Sequence, residues 1–164
     1  MLLCRFDCYS KLQKSSFEFK EDHVIITFTS RKNDQHYNGS TSVLKYRNGE
    51  LLCPKLIYQT FFNLMALNDN AFLNCRLSQY GIRSRPSSKL SYSQSLKDTK
   101  ELLYSYGIEN VSEKSFKASG VTVLLDKKAS LTDVQIFGGW KSESTPLHYH
   151  NQSTKRRMDI SEML

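Results

Sequence analysis

The sequence has no run of about 18 or more apolar residues, the length that reads as a membrane-spanning helix, so no membrane span is expected. It has no secretory leader pattern either: the opening Met-Leu-Leu-Cys-Arg-Phe meets an acid at Asp7, too soon for a signal peptide. Cysteine is sparse and poorly placed for metal. Cys4 and Cys8 could share one helix face, but with Cys53 and Cys75 they complete no zinc pattern with another Cys or His pair, so no metal is expected. Without a secretory signal the thiols are expected to be reduced. Internal repeats and low-complexity tracts are lacking, which leaves no reason to read a repeat array or a long biased linker. Acid is also scarce. Asp and Glu number 16 against 23 Lys and Arg, a formal charge of +7. Such a surplus suits a polyanionic partner, although a merely basic soluble domain is the simpler alternative.

What is present supports a packed globule. The 164 residues are enough for one domain with an adequate core, and 39% are hydrophobic, including nine Tyr and nine Phe. The positive charge is unevenly spread. The stretch CRLSQYGIRSRPSSK carries Arg76, Arg83, Arg85 and Lys89 with no acid, and TKRR carries Lys155, Arg156 and Arg157. The first group is a candidate DNA-binding cluster.

Along the chain, Leu2, Leu3, Phe6, Tyr9 and Leu12 predict an amphipathic helix that begins at once, as if structure lay upstream. His23 to Ser30 and Ser40 to Arg47 are β-rich and flank a polar, turn-prone segment. They predict an antiparallel hairpin with Lys32 near its tip. Pro54 suits the first position of a helix whose Leu56, Ile57, Phe61, Leu64 and Met65 repeat at helical spacing. Residues 68 to 90 are weakly patterned and are expected to run over the surface. A helix closed by Gly107 follows. The next, Lys114 to Lys127, should turn Phe116, Val121, Leu124 and Leu125 inward. Ser130 and Asp133 fit a near-capping box for a helix from Leu131 to Phe137, ended by Gly138 and Gly139. Pro146 suits the first turn of a helix carrying Tyr149, and the last dozen residues suit a final helix.

Five residues stand in a suggestive order. Arg5 opens the chain, Lys32 follows in SRKNDQHYNG, Lys117 ends the run Lys114-Ser-Phe-Lys117, and Trp140 and Tyr149 stand nine apart in GGWKSESTPLHY. A tyrosine nucleophile among cations is what strand transfer on DNA needs. Each residue also has a plainer reading: Arg5 as a surface arginine, Lys32 as a solvated turn charge, Trp140 as core, Tyr149 as a half-buried phenol. His148 and His150, on either side of Tyr149, read as solvated.

The ordered set resembles the catalytic domain of the tyrosine recombinase (phage integrase-like) family, and in particular its eukaryotic mobile-element members. There a helix with Leu-Arg-Phe precedes a hairpin similar to DHVIITFTSRKNDQHYNG. The resemblance covers nearly the whole chain, residues 1–164. It implies a mixed α/β fold, mostly helical, with a small antiparallel β-sheet and hairpin. It implies DNA breakage and rejoining, as in recombination or integration, through a 3′-phosphotyrosine. By resemblance, Tyr149 is the nucleophile, Arg5 the first catalytic arginine and Lys32 the hairpin lysine that protonates the 5′-oxygen leaving group. Trp140 holds the His-or-Trp position, where it would pack against the site and offer its indole N–H to phosphate. The His-x-x-Arg motif falls on Lys114 and Lys117, so both signature residues are replaced. Lysine keeps the charge but loses the planar, paired donors of arginine.

The implied partner is double-stranded DNA, bound by a homo-oligomer, with no membrane. No cofactor is implied, because the phosphotyrosine bond conserves the phosphodiester energy. The family's N-terminal DNA-clamp domain is expected to be absent from a chain that begins four residues before Arg5. The nucleus is the expected location if the source is eukaryotic, and otherwise the cell interior. Two other readings remain beside this one: a catalytically inactive DNA-binding module derived from such a recombinase, and a type IB topoisomerase-like enzyme of the same chemistry.

Overall fold

Strict alternation decides the sheet. In the computed structural model, which describes residues 3–29, 40–47, 49–77, 84–151 and 153–163, Val24, Ile26 and Phe28 are fully buried while their neighbours face outward. That period of two is the signature of a strand with one face on a core. The chain divides into two compact units, one of residues 6–95 and one of residues 1–5 with 96–164.

The first unit starts with α1 (Phe6–Tyr9) and a 3₁₀ turn at Lys14–Ser16. Then come β1 (Phe17–Phe19), β2 (His23–Phe28) and β3 (Ser40–Lys45), an antiparallel sheet in that order. Phe17 lies opposite Ile26, and Val24 opposite Leu44. The expected hairpin is therefore present as β2 and β3; Lys32 lies outside the described residues. The amphipathic helix expected from Leu2 is only the four residues of α1, and Leu2 too lies outside the described residues. Four residues make one helical turn, so α1 depends on packing: Phe6 meets the rings of Tyr9 and Tyr92 edge-on, at 5.1 and 5.3 Å.

Pro54 opens α2 (Pro54–Leu64), as its fixed φ and missing N–H favour. Of the apolar residues at helical spacing, Leu56, Ile57 and Leu64 are exposed and Phe61 and Met65 half-buried, and the buried residue of the helix is Phe62. Its ring lies 5.2 Å from Phe17 and 6.3 Å from both Phe19 and Tyr58. The aromatic side chains reach further into the space over the sheet than Leu or Ile could, and they set the helix rotation. Residues 68 to 90, expected to be a weakly patterned surface run, contain a second hairpin. Its strands β4 (Cys75–Leu77) and β5 (Ser84–Lys89) are antiparallel, with Arg76 opposite Arg85 and an irregularity between Cys75 and Arg76. Arg83 lies outside the described residues.

Helix α3 (Tyr92–Tyr104) runs from the first unit into the second and gives way to a left-handed Gly107. The second unit continues with α4 (Glu113–Asp126), α5 (Leu131–Gly138), α6 (Ser144–Asn151) and α7 (Thr154–Ser161). Here α4, α5 and α6 pack on one another. Phe116, expected inward, is 41% exposed, whereas Val121 is completely buried, with Leu124 and Leu125 packed beside it. This mixed α/β, mostly helical architecture with a small antiparallel sheet is the one the sequence predicted. Among the described residues no helix is long and apolar enough to cross a membrane.

Candidate active site

The local signals around Trp140 explain why it is held so firmly. Ser130 caps α5 by accepting from the backbone N–H of Asp133 at 3.0 Å. Gly139 ends the helix in the left-handed region at φ 64°, where a residue with a Cβ is disfavoured. The chain then doubles back, and Gln135 secures Trp140 at both backbone atoms. Its carbonyl accepts the Trp140 N–H at 3.1 Å, and its side-chain amide donates to the Trp140 carbonyl at 3.1 Å. The indole lies against Gly138 so closely that a Cβ there would fall 2.0 Å from Cζ3. Glycine at 138 is thus required by the ring rather than by the backbone.

Trp140 is also core. Only 7% of it is exposed, and it clusters with Leu3, Val121 and Val134, against which Phe137 and Tyr149 pack. The plainer reading of this residue, as core, holds.

On this indole two of the other singled-out residues meet. Tyr149, half-buried on α6, places its ring centroid 6.2 Å from that of Trp140 at an interplanar angle of 46°. Lys117, half-buried on α4, sets its Nζ 4.5 Å from the centre of the indole ring. That distance is well inside the roughly 6 Å range of a cation–π contact. Residues 32 positions apart in sequence, Lys117 and Tyr149, thereby share one aromatic plate. The packing of α4 on α6 and of α5 on both makes this possible.

The remaining site residues stand further out. Arg5 is exposed, but Leu3, two residues before it, is 3% exposed and part of the Trp140 cluster, so the N-terminal segment is anchored there. Lys114 is exposed one turn before Lys117 on α4, a spacing that puts both on the same side of the helix. Ser112, ahead of that turn, donates its backbone N–H to Ser115 Oγ at 3.1 Å. Of the expected DNA-binding residues, Lys89 is exposed at the end of β5, and Arg76 and Arg85 hold facing positions of the second hairpin. They belong to the other compact unit from Trp140 and Tyr149.

Two features escaped the sequence. His150 is not simply solvated: its Nδ1 is buried and, like the indole Nε1 of Trp140, has no hydrogen-bond partner among the described residues. His148 on the other side is exposed, its ring 6.1 Å from that of Tyr149. Adjacency to Tyr149 was the only sequence signal for either histidine. The second feature is the stacking of Lys117, which no spacing rule announces. Among the described residues no group of His, Cys, Asp and Glu is arranged to hold a metal ion.

No family model matches the sequence, and no curated protein matches it. Solved structures do. The XerH site-specific recombinase bound to a palindromic difH substrate, a post-cleavage complex, superposes with a TM-score of 0.69 at 16% identity over 97% of this chain. XerH in its pre-cleavage complex with difH gives 0.65 at 16% identity over 97%. The XerA recombinase gives 0.64 at 15% identity over 98%. The chain spans only 41%, 42% and 53% of the lengths of those three chains. At these identities the likeness speaks to architecture, and it is specific: the chain has the tyrosine recombinase catalytic-domain fold.

Proposed function

We propose that this chain breaks and rejoins DNA through a 3′-phosphotyrosine intermediate, with Tyr149 as the nucleophile. The observation that carries the reading is the convergence of the Lys117 ammonium and the Tyr149 phenol on Trp140, 4.5 and 6.2 Å from its ring. In the proposed step the phenolic oxygen attacks phosphorus and its proton leaves to solvent. The bond from phosphorus to the 5′-oxygen breaks, and Lys32 supplies the proton that oxygen requires. Negative charge grows on the non-bridging oxygens, where Arg5, Lys117 and Lys114 provide donors. Attack by a 5′-hydroxyl reverses the sequence and reseals the strand. No energy source is needed, because the phosphate ester is exchanged rather than hydrolysed.

Duplex DNA as the partner is supported by the charge of +7 and by the second hairpin. There Arg76 stands directly opposite Arg85. Residues 1–164 would act as the catalytic domain, in a homo-oligomer on DNA, within a mobile element or a descendant of one. The eukaryotic-type resemblance would place that work in the nucleus.

A second reading has its own support. Lys114 and Lys117 stand where the family motif has His and Arg, and removing one oriented donor typically costs ~10²–10³ in rate. A domain that binds DNA without cutting it fits that pair of substitutions. A nicked suicide DNA substrate separates the two. A covalent adduct on a denaturing gel is the expected result; salt-dependent binding with no adduct establishes the binding module. Each neutralised phosphate should add about 0.9 to the slope of log affinity against log salt, and a flat titration removes DNA as the partner.

A further inference from the structure

We propose that Trp140 is the positioning residue for Lys117: the indole face holds the ammonium in place and so gives a lysine the fixed aim that its own stem cannot. This rests on the strand-transfer reading for the identity of the oxygens that Lys117 meets, those of a DNA phosphate.

The argument starts from what lysine lacks. A guanidinium carries its donors in a rigid plane, while an ammonium is a point charge on four rotatable carbons. A lysine in an oriented role therefore needs an external constraint. Trp140 supplies one. Its ring is the strongest of the aromatic partners for a cation, and desolvation strengthens such a contact. Trp140 is 7% exposed, with Lys117 Nζ 4.5 Å from the centre of its ring.

The plate itself cannot yield. Gln135 holds both backbone atoms of Trp140, Gly138 lies beneath the ring, and Leu3, Val121 and Val134 enclose it. Tyr149 rests on the same ring. One rigid side chain therefore sets the cation and the phenol relative to each other. Trp140 acts here through its face, a role separate from any donation by its N–H.

Trp140 is the only tryptophan in the sequence, so biosynthetic replacement with fluorotryptophans alters this ring and no other. Fluorine withdraws electron density from the ring face yet nearly preserves shape and keeps the N–H. Truncating a core tryptophan would confuse positioning with unfolding; the fluorinated series avoids that. Two readouts are needed. By NMR, the Lys117 ε-methylene protons, assigned from their loss in Lys117→Met, should lie upfield of the other lysines through the indole ring current. On the nicked suicide substrate, adduct formation should fall with each added fluorine, by about two- to fivefold over the series. In the Lys117→Met background the same series should be flat.

Lys117 ε protons in the ordinary lysine range would overturn the proposal, as would an equally steep fall in the Lys117→Met background. If no variant forms an adduct, the strand-transfer reading fails, while the NMR shift still decides whether Trp140 holds Lys117.

Discussion

The two compact units organise their cores in different ways. In residues 6–95 the buried set is an aromatic and β-branched layer: Val24, Ile26 and Phe28 from β2, with Phe17 and Phe62 meeting at 5.2 Å. None of these side chains has a chemical task in the proposed reaction. In the helical unit the core is Leu3, Val121, Val134 and Trp140, and the last of these also carries Lys117 and Tyr149. There the site is the edge of the core. Substitutions in the sheet layer should therefore change stability alone, whereas those that displace the Trp140 ring should change stability and chemistry together.

The largest expected effect is on chemistry without stability. Tyr149→Phe should abolish the covalent adduct on a suicide substrate and leave DNA affinity nearly unchanged, since it removes a hydroxyl and no charge. An adduct that survives would move the nucleophile elsewhere and end the pairing of core and site.

The opposite case comes next. Phe62→Ala should destabilise by ~3–5 kcal/mol, measured by denaturant unfolding, because it empties the space between α2 and the sheet. The emission maximum of Trp140 in the folded protein should stay where it was. A shift would show that the two cores are not independent.

Lys117→Arg sharpens the helical side. It restores paired donors at constant charge, so cleavage of the suicide substrate should rise by about tenfold to a thousandfold while DNA binding changes little. A folded, DNA-binding variant that remains inert would favour the binding module.

Gly138→Ala tests the joint dependence directly. The new Cβ would fall 2.0 Å from Trp140 Cζ3, so the ring must move. The expected cost is ~1–3 kcal/mol in chemical denaturation. A displaced ring should also carry off the upfield shift of the Lys117 protons.

The smallest effect belongs to the sheet unit. The Asp22 carboxyl is held below its ordinary value of 3.8, chiefly by the side-chain hydrogen bond to His23 at 2.5 Å, against an opposing effect of desolvation. A depressed carboxyl contributes stability above its ordinary value and loses it as pH falls through the lowered one. Asp22→Asn should therefore flatten only the acid limb of a stability-against-pH curve, below about pH 4. The difference from the parent should appear at neutral pH as a lowered midpoint, slight because the pair is exposed, and should vanish at the acid end.

Much of this arrangement is legible in the residues. The alternation from His23 onward, Pro54 at a helix start, Ser130 as a cap and Gly139 as a stop are local rules, decided by backbone sterics and near-neighbour hydrogen bonds. They hold whatever the rest of the chain does. The nine-residue interval from Trp140 to Tyr149 is likewise a property of the sequence. What helical periodicity left undecided was the buried face of α2: Leu56, Ile57, Phe61, Leu64 and Met65 satisfy the spacing, yet Phe62 is the residue buried, beside Tyr58 and Phe17. Periodicity counts apolar residues; which of two apolar faces is buried depends on the shape of the surface opposite.

The same limit hid β4 and β5, whose pairing is supplied by a partner strand rather than by their own pattern. It also hid the contact on which the site turns. Local chemistry placed Lys117 on one helix, Trp140 after another and Tyr149 on a third. Only the packing of α4, α5 and α6 put an ammonium 4.5 Å above an indole, because a cation–π contact depends on the distance between side chains in space, and no spacing along the chain specifies it.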